Sequence, residues 1–318
     1  MENILLLGAQ GMVGSAISRR LNSRGVRPLE VTRANCDLTD QRQVRATYTQ
    51  AGKIDRAIVA AAKVGGIHAN DAYPAEFIYE NLLIQTHIIH EAYTAEVAQL
   101  IFLGSSCIYP RLAQQPMIES ELLTGPLEPT NEAYAISKIA GIKMCESYNR
   151  QYGTDYRSLM PTNLYGPNDN FSGANSHVIP ALMTKFAKAV ATNAPSVEIW
   201  GSGNARREFL HVDDLASAVE FCMDQPKTQY WSNLQPQLSH INVGTGQDIS
   251  ISELADLLKE ISGFSGKLVF DQSKPDGAPR KLLDTTKLNS MGWQPTVGLQ
   301  DGLAATYKWL LEAQHVRS

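Results

Sequence analysis

The sequence predicts an α/β fold: a doubly wound, mostly parallel sheet with a smaller C-terminal α/β unit. Three observations predict it. Short apolar runs alternate with amphipathic helical stretches through the first half of the chain. A glycine-rich turn joins the first apolar run to the first helix. After about Pro167 the pattern changes, and a polar stretch leads into a different order of elements. The length of 318 residues exceeds what one compact core usually holds, so a large domain and a smaller one are expected.

Taken in order, Ile4–Leu7 reads as a buried strand and 12–21 as a helix, with Gly25 as its stop. A short second strand follows at Leu29–Val31. Apolar runs at 57–62 and 100–103 have strand length, and a helical segment at 75–92 separates them. Another short strand is expected at 158–160. This alternation argues for parallel strands covered on both faces. Beyond residue 167 the reading is a polar loop over 168–176 and a helix over 178–190. A strand-like start runs into a helix over 206–222, followed by a strand over 240–244 and an amphipathic helix over 252–261. No internal repeat or low-complexity tract interrupts the pattern.

Composition narrows the function classes. Hydrophobic residues make up 43% of the chain and charged residues 19%, which suits a packed core and not disorder. The formal net charge of −4, with no basic stretch, argues against a nucleic-acid partner and leaves room for a local basic phosphate pocket. The cysteines, Cys36, Cys107, Cys145 and Cys222, form no CxxC pair. Neither a disulfide framework nor a metal site is expected, and the reading is a reducing cytosol. The opening apolar stretch is too short for a signal peptide or a membrane span, so no membrane partner is expected.

Gly8-Ala9-Gln10-Gly11-Met12-Val13-Gly14 spells GxxGxxG between a strand and a helix. In that context the first glycine permits a tight turn. The second lets backbone approach a pyrophosphate, and the third lets helix and strand pack closely. The helix N-terminus then offers unpaired N–H groups to phosphate. This is the dinucleotide signature of a Rossmann-type sheet. At the end of the second strand the chain reads Val31-Thr32-Arg33. An acidic residue there would favour NAD, whereas Arg33 suits the 2′-phosphate of NADP by charge and fork geometry. The plainer alternative is a solvated surface arginine. Asp37 and Leu38 follow closely enough to frame an adenine.

Tyr134-Ala135-Ile136-Ser137-Lys138 gives YxxxK, which places phenol and ammonium on one helix face. A nearby ammonium is expected to pull the tyrosine below its ordinary pKa of about 10. Tyr134 then serves proton exchange with a carbonyl oxygen. Gly104-Ser105-Ser106-Cys107 follows the apolar run at 100–103, at the strand edge where α/β enzymes place ligands.

In this order and at roughly this spacing, the three motifs resemble the extended short-chain dehydrogenase/reductases. Longer matches narrow the resemblance. They are AAAKVGGI at 60–67, GSSCIYP at 104–110, PTNLYGP at 161–167, SHVIP at 176–180 and REFLHVDD at 207–214. These look like the GDP-L-fucose synthase family, the GDP-4-keto-6-deoxy-D-mannose 3,5-epimerase-4-reductases, nearly end to end.

The resemblance implies a homodimeric enzyme that uses NADPH and a GDP-linked 4-keto-6-deoxy sugar. The C4 ketone of that sugar acidifies the protons on C3 and C5, and inversion at either carbon takes a base on one face and an acid on the other. By resemblance, Cys107 is the base and His177 the acid. Tyr134, Ser105 and Lys138 then serve reduction at C4. Without the resemblance, Cys107 reads as a small buried hydrophobe and His177 as an ordinary loop histidine. The cofactor would lie against residues 8–14, Arg33, Asp37, Leu38, Leu103, Gly104, Ser105, Ser106 and Lys138. Pro161, Thr162, Asn163, Leu164 and His177 would line its nicotinamide side. The sugar nucleotide would take Lys185, Trp200, Arg207, Asp276 and Lys281. The implied division is a cofactor domain over 1–167, with a return at about 206–245, and a substrate domain over 168–205 and 246–318. One departure stands out: Gln10 occupies a position where relatives can carry a basic residue, which leaves Arg33 more of the 2′-phosphate.

Three other readings compete. A GDP-L-colitose synthase would act on the 3,6-dideoxy analogue and invert C5 alone. A nucleotide-sugar 4-epimerase or dehydratase needs no Cys/His pair. A non-catalytic cofactor-binding sensor would typically have lost Tyr or Lys of YxxxK, and both are present here.

Overall fold

The computed structural model describes residues 2–172, 176–232, 234–274 and 276–317. Five strands come first: β1 (Ile4–Leu7), β2 (Leu29–Val31), β3 (Arg56–Val59), β4 (Gln99–Leu103) and β5 (Asp155–Pro161). The chain then forms β6 (Asn163–Tyr165), β7 (Ser196–Trp200) and β8 (Arg206–His211), and returns to the first sheet with β9 (Ile241–Val243). β10 (Asp248–Ser250), β11 (Lys267–Asp271) and β12 (Arg280–Lys281) follow.

The main sheet has the order β2-β1-β3-β4-β5-β9, with every neighbouring pair parallel. Leu7 at the end of β1 lies opposite both Val31 and Val59. The chain winds one way from β1 to β2 and the other way from β3 onward. The crevice beyond the carboxyl end of β1 is therefore a topological switch point, where such sheets bind ligands.

Helices close both faces, as parallel strands require. On one face, helices Met12–Ser23 and Val212–Asp224 bury Ile17, Leu21, Leu215 and Val219. On the other, helices Gln41–Ala51, Pro74–Thr94 and Glu132–Tyr152 bury Val44, Ile88, Ile89 and Ile142.

Several strands differ in extent from the sequence reading. β3 stops at Val59, short of the run at 57–62, because the chain turns out of the sheet there. The backbone of Ala60 and Ala61 then packs against Gly8. β5 is longer than the 158–160 stretch, since its polar residues are buried in pairs. Arg157 reaches Asp155 at 2.6 and 2.8 Å, bonds the carbonyl of Gln225 at 2.9 Å, and lies over the ring of Tyr230.

A second assembly lies beyond β5. β8 is its centre, paired in parallel with β6 and β12 and antiparallel with β10. β7 and β11 form a separate parallel pair. A third core cluster includes Ile179, Met183, Phe186, Ile199, Leu254, Leu258 and Leu303. It is built from helices Val178–Ala191, Ile251–Ser262 and Leu299–Arg317 with β7. Helix Ile251–Ser262 starts with a capping box of Ser250 and Glu253 and stops at left-handed Gly263. Leu283 packs with the first cluster, and Leu288 and Trp293 pack with the second. That late stretch therefore lies against the large sheet. Within the loop expected over 168–176, residues 173–175 lie outside the described residues. Among the described residues, no helix is long and apolar enough to cross a membrane.

Candidate active site

The glycine loop sits at the switch point. The N–H groups of Gly8 and Ala9 both donate to the Val31 carbonyl, at 2.9 and 3.2 Å. Gly8 has φ +91°, and a Cβ there would fall 2.6 Å from the Ala61 nitrogen. A Cβ on Gly14 would fall 2.1 Å from the Gly8 carbonyl oxygen, so only glycine lets helix and strand approach this closely. Around Gly11, by contrast, the Gly8 oxygen at 3.6 Å is the only atom a Cβ would meet. Gly11 caps helix Met12–Ser23 without a side-chain bond, and no acidic residue occupies the first turn. An open, uncapped helix N-terminus fits a diphosphate. Gln10 is exposed beside it, and Met12 and Val13 are half-buried.

Arg33 stands exposed in the turn after β2 and has no ion pair or hydrogen bond among the described residues. Asn35 shapes the turn: it accepts from Thr32 N at 2.8 Å and donates to the Glu30 carbonyl at 3.0 Å. Asp37 is engaged locally. Its carboxylate accepts from the Thr39 hydroxyl at 2.7 Å and the Thr39 N–H at 2.9 Å, which hold its pKa below the usual carboxylate value. Leu38 is half-buried against the first core.

YxxxK meets the end of β4. Lys138 is buried, donates to the Leu103 carbonyl at 3.0 Å, and lies 5.0 Å from the Phe102 ring centre and 5.8 Å from that of Tyr134. No carboxylate pairs with it among the described residues, and burial lowers its pKa to about 8. Tyr134 corrects the sequence expectation. Burial pushes its phenol above 10, the neighbouring Cys107 adds to the rise, and Ser105 opposes it. In the free protein, desolvation outweighs the ammonium on the same helix face. Tyr134 is therefore held protonated, the state from which it donates.

Gly104 bonds the Leu159 carbonyl and fixes where β4 ends. Ser105 starts a single 3₁₀ turn, Ser106–Ile108, and its hydroxyl accepts from the Cys107 N–H at 3.3 Å. Ser106 is buried, whereas Cys107 is half-exposed and free, with Asn131 Nδ2 at 3.4 Å from its sulfur. The far end of the turn is anchored in the core. The Tyr109 hydroxyl donates to Asn242 Oδ1 and lies 3.1 Å from His240 Nε2. Sequence reading passed over Tyr109, His240 and Asn242, because a buried polar anchor has no local signature.

His177 immediately precedes helix Val178–Ala191. Its side chain is exposed, and desolvation by surrounding protein lowers its pKa. A helix N-terminus also disfavours a cation.

The five residues expected at the sugar nucleotide share one rim. Lys185 donates to the Glu198 carbonyl at 2.8 Å and lies 5.3 Å from the ring centre of Trp200, which is half exposed. Lys274 approaches the same ring at 5.5 Å. Asp276 accepts from the Ser202 N–H and hydroxyl at 2.7 and 2.8 Å. Its carbonyl takes Arg207 Nη2 at 3.2 Å. Lys281 on β12 is in register with Arg207 on β8. Among the described residues the Arg207 guanidinium bonds only carbonyls, and burial lowers its pKa. A half-buried cation without a carboxylate partner fits an anion.

The residues expected on the nicotinamide side join this rim to the main sheet. Pro161 pairs with Val243, and Thr162 N–H donates to the Val243 carbonyl at 3.0 Å. Asn163 Nδ2 and the Thr162 hydroxyl both reach the Glu208 carbonyl, at 2.9 and 3.3 Å. Leu164 packs on the second core. Glu208, also missed in the sequence, is fully buried. Its carboxylate accepts from the N–H groups of Thr245, Gly246 and Leu283 at 2.7, 2.8 and 2.9 Å. It thereby ties the strand of Arg207 to the segment of Lys281.

Residues 4–244 match the model of the NAD dependent epimerase/dehydratase family. The GDP-L-fucose synthase of Escherichia coli (strain K12) is 58% identical over 314 residues, 98% of each chain. The GDP-L-colitose synthase of Yersinia pseudotuberculosis is 38% identical over 313 residues, 98% of this chain and 99% of its own. A GDP-D-glycero-L-gluco-heptose synthase from Campylobacter jejuni, solved in the presence of NADPH, superposes with TM-score 0.86 at 36% identity over 98% of both chains.

Proposed function

The chain belongs to the NAD dependent epimerase/dehydratase family, and from that premise we infer that it is a bifunctional NADP-dependent epimerase and reductase converting GDP-4-keto-6-deoxy-D-mannose to GDP-L-fucose. The observation that carries the reading is the meeting of Ser105, Cys107, Tyr134 and Lys138 at the end of β4, in a chain 58% identical to a GDP-L-fucose synthase. The 38% identity to a colitose synthase supports the fucose reading over the dideoxy one.

NADPH, when bound, supplies the hydride for C4. The open N-terminus at Gly11 suits its pyrophosphate, and Arg33, unpaired among the described residues, suits its 2′-phosphate. The protein's own groups handle the protons. Cys107 removes the proton from C3 and, in a separate step, from C5, each time sending the electron pair onto the C4 oxygen as an enolate, and exchange with solvent resets Cys107 and His177 between the steps. Ser105 and Tyr134 hold that oxygen. His177 returns a proton to the opposite face of each carbon. Its lowered pKa makes its protonated form a stronger acid. Tyr134 finally gives its proton to the C4 oxygen, with buried Lys138 stabilising the phenolate that remains.

The reading assigns 1–167 and 206–245 to the cofactor, and 168–205 and 246–318 to the sugar nucleotide. It places the enzyme in the cytoplasm, in keeping with four free cysteines. It also makes the enzyme a homodimer. Tyr79, Ile136 and Tyr152, exposed on helices Pro74–Thr94 and Glu132–Tyr152, support that assembly.

Side-by-side assays test the substrate. Purified protein given NADPH and GDP-4-keto-6-deoxy-D-mannose should consume NADPH faster than with the 3,6-dideoxy analogue. Preference for the analogue would move the assignment to colitose chemistry, and NADPH binding without turnover of either sugar would end the catalytic reading.

A further inference from the structure

Asn131 immediately precedes helix Glu132–Tyr152, which carries YxxxK. Asparagine is among the best residues for capping a helix start with its side chain. Here it makes no cap bond. Its Nδ2 points to Cys107 Sγ at 3.4 Å, and its Oδ1 is buried with no hydrogen-bond partner among the described residues. The backbone is held independently, since Asn131 N–H donates to the Glu128 carbonyl at 3.1 Å. The side chain thus forgoes both the cap and the satisfaction of its own carbonyl, and each omission lowers stability. A local conflict of this kind, in an otherwise regular helix, marks a functional position.

We propose that Asn131 is a positioning residue for carbon inversion: its amide holds the Cys107 sulfur in place and favours the negative charge that the sulfur carries as a base. The proposal rests on the reading of Cys107 as the base. An N–H donor stabilises an anion beside it, whereas a carboxylate in the same place repels one.

The test compares Asn131→Asp and Asn131→Ser with the parent enzyme. Both replacements are good helix caps, so melting temperatures should stay level or rise. Iodoacetamide, applied without sugar, should report Cys107 selectively, because Cys36, Cys145 and Cys222 are buried. At neutral pH the Asp variant should be alkylated at least tenfold more slowly, and the Ser variant should fall between it and the parent. Deuterium entry from heavy water at C3 and C5 of the sugar should slow in the same order, with NADPH affinity unchanged. Equal alkylation in all three proteins would overturn the proposal. Slowed alkylation with normal deuterium entry would show that Asn131 tunes a cysteine that is not the base. That result removes the Cys107 reading and the proposal with it. Falling melting temperatures with lost NADPH binding in both variants would make Asn131 merely structural.

Discussion

Buried Lys138 and half-buried Tyr134 lie close together and are pushed in opposite directions by the same cause. Desolvation favours the neutral form of each, lowering the lysine to about 8 and raising the phenol. The tyrosine therefore stays protonated across the working range, and the lysine limits activity on the alkaline side. In the free enzyme, kcat/KM for NADPH oxidation should decline as pH rises through about 8, where Lys138 loses its charge. A profile flat to pH ~10, the ordinary lysine value, would contradict this. Tyr134→Phe should lower reduction by roughly 10²-fold or more and leave deuterium entry at C3 and C5 measurable. Arg33→Ala should weaken NADPH binding about tenfold or more, with little effect on NADH, because Arg33 has no other partner among the described residues. Residue types and order made these groups legible in the sequence. The direction of the tyrosine shift was not, because it depends on what the fold packs around the ring. Asn131 was invisible for a related reason, since in sequence it is an ordinary helix cap.

Among elements, the glycine loop, the first strand and the helices around YxxxK followed the sequence pattern closely. The apolar β1 and the apolar run at 100–103 of β4 are buried throughout and could hardly read otherwise. β5 was only partly legible, because Asp155 and Arg157 are charged and their burial depends on each other. β8 shows how a strand can carry a site. Glu208 faces inward and clasps three backbone N–H groups, while Arg207 beside it bonds outward carbonyls. Glu208→Gln keeps an acceptor for Thr245 and Gly246 but turns an N–H toward that of Leu283. The lost bond loosens the Lys281 segment. KM for the sugar nucleotide should rise about tenfold, in line with one unsatisfied buried donor. NADPH affinity should hold, and unchanged KM would confine Glu208 to stability alone.

The whole molecule joins a sheet that sequence alternation announces to a second assembly that it does not. Strands of two or three residues such as β6, β10 and β12 carry too few side chains to show a period, and their partners lie far along the chain. His240, just before β9, is fully buried against Tyr109. Burial, helped by the ammonium groups of Lys287 and Lys143, lowers its pKa from 6.5 to about 3. The unfolded chain binds this proton below pH ~6.5 while the native state refuses it until about 3. Stability present above 6.5 is therefore lost as pH falls through that window, by on the order of 5 kcal/mol. Denaturant titrations across the window should show that slope, and His240→Gln should flatten it. An equal slope in both proteins would place the acid sensitivity elsewhere. Inversion of two carbons and reduction of a third at one site can be read in a single experiment: NMR of the product formed from GDP-4-keto-6-deoxy-D-mannose and NADPH in deuterated water. The prediction is GDP-L-fucose with deuterium at both C3 and C5, and none at either carbon with Cys107→Ser. A reduced product that keeps its original protons at C3 and C5 would contradict it.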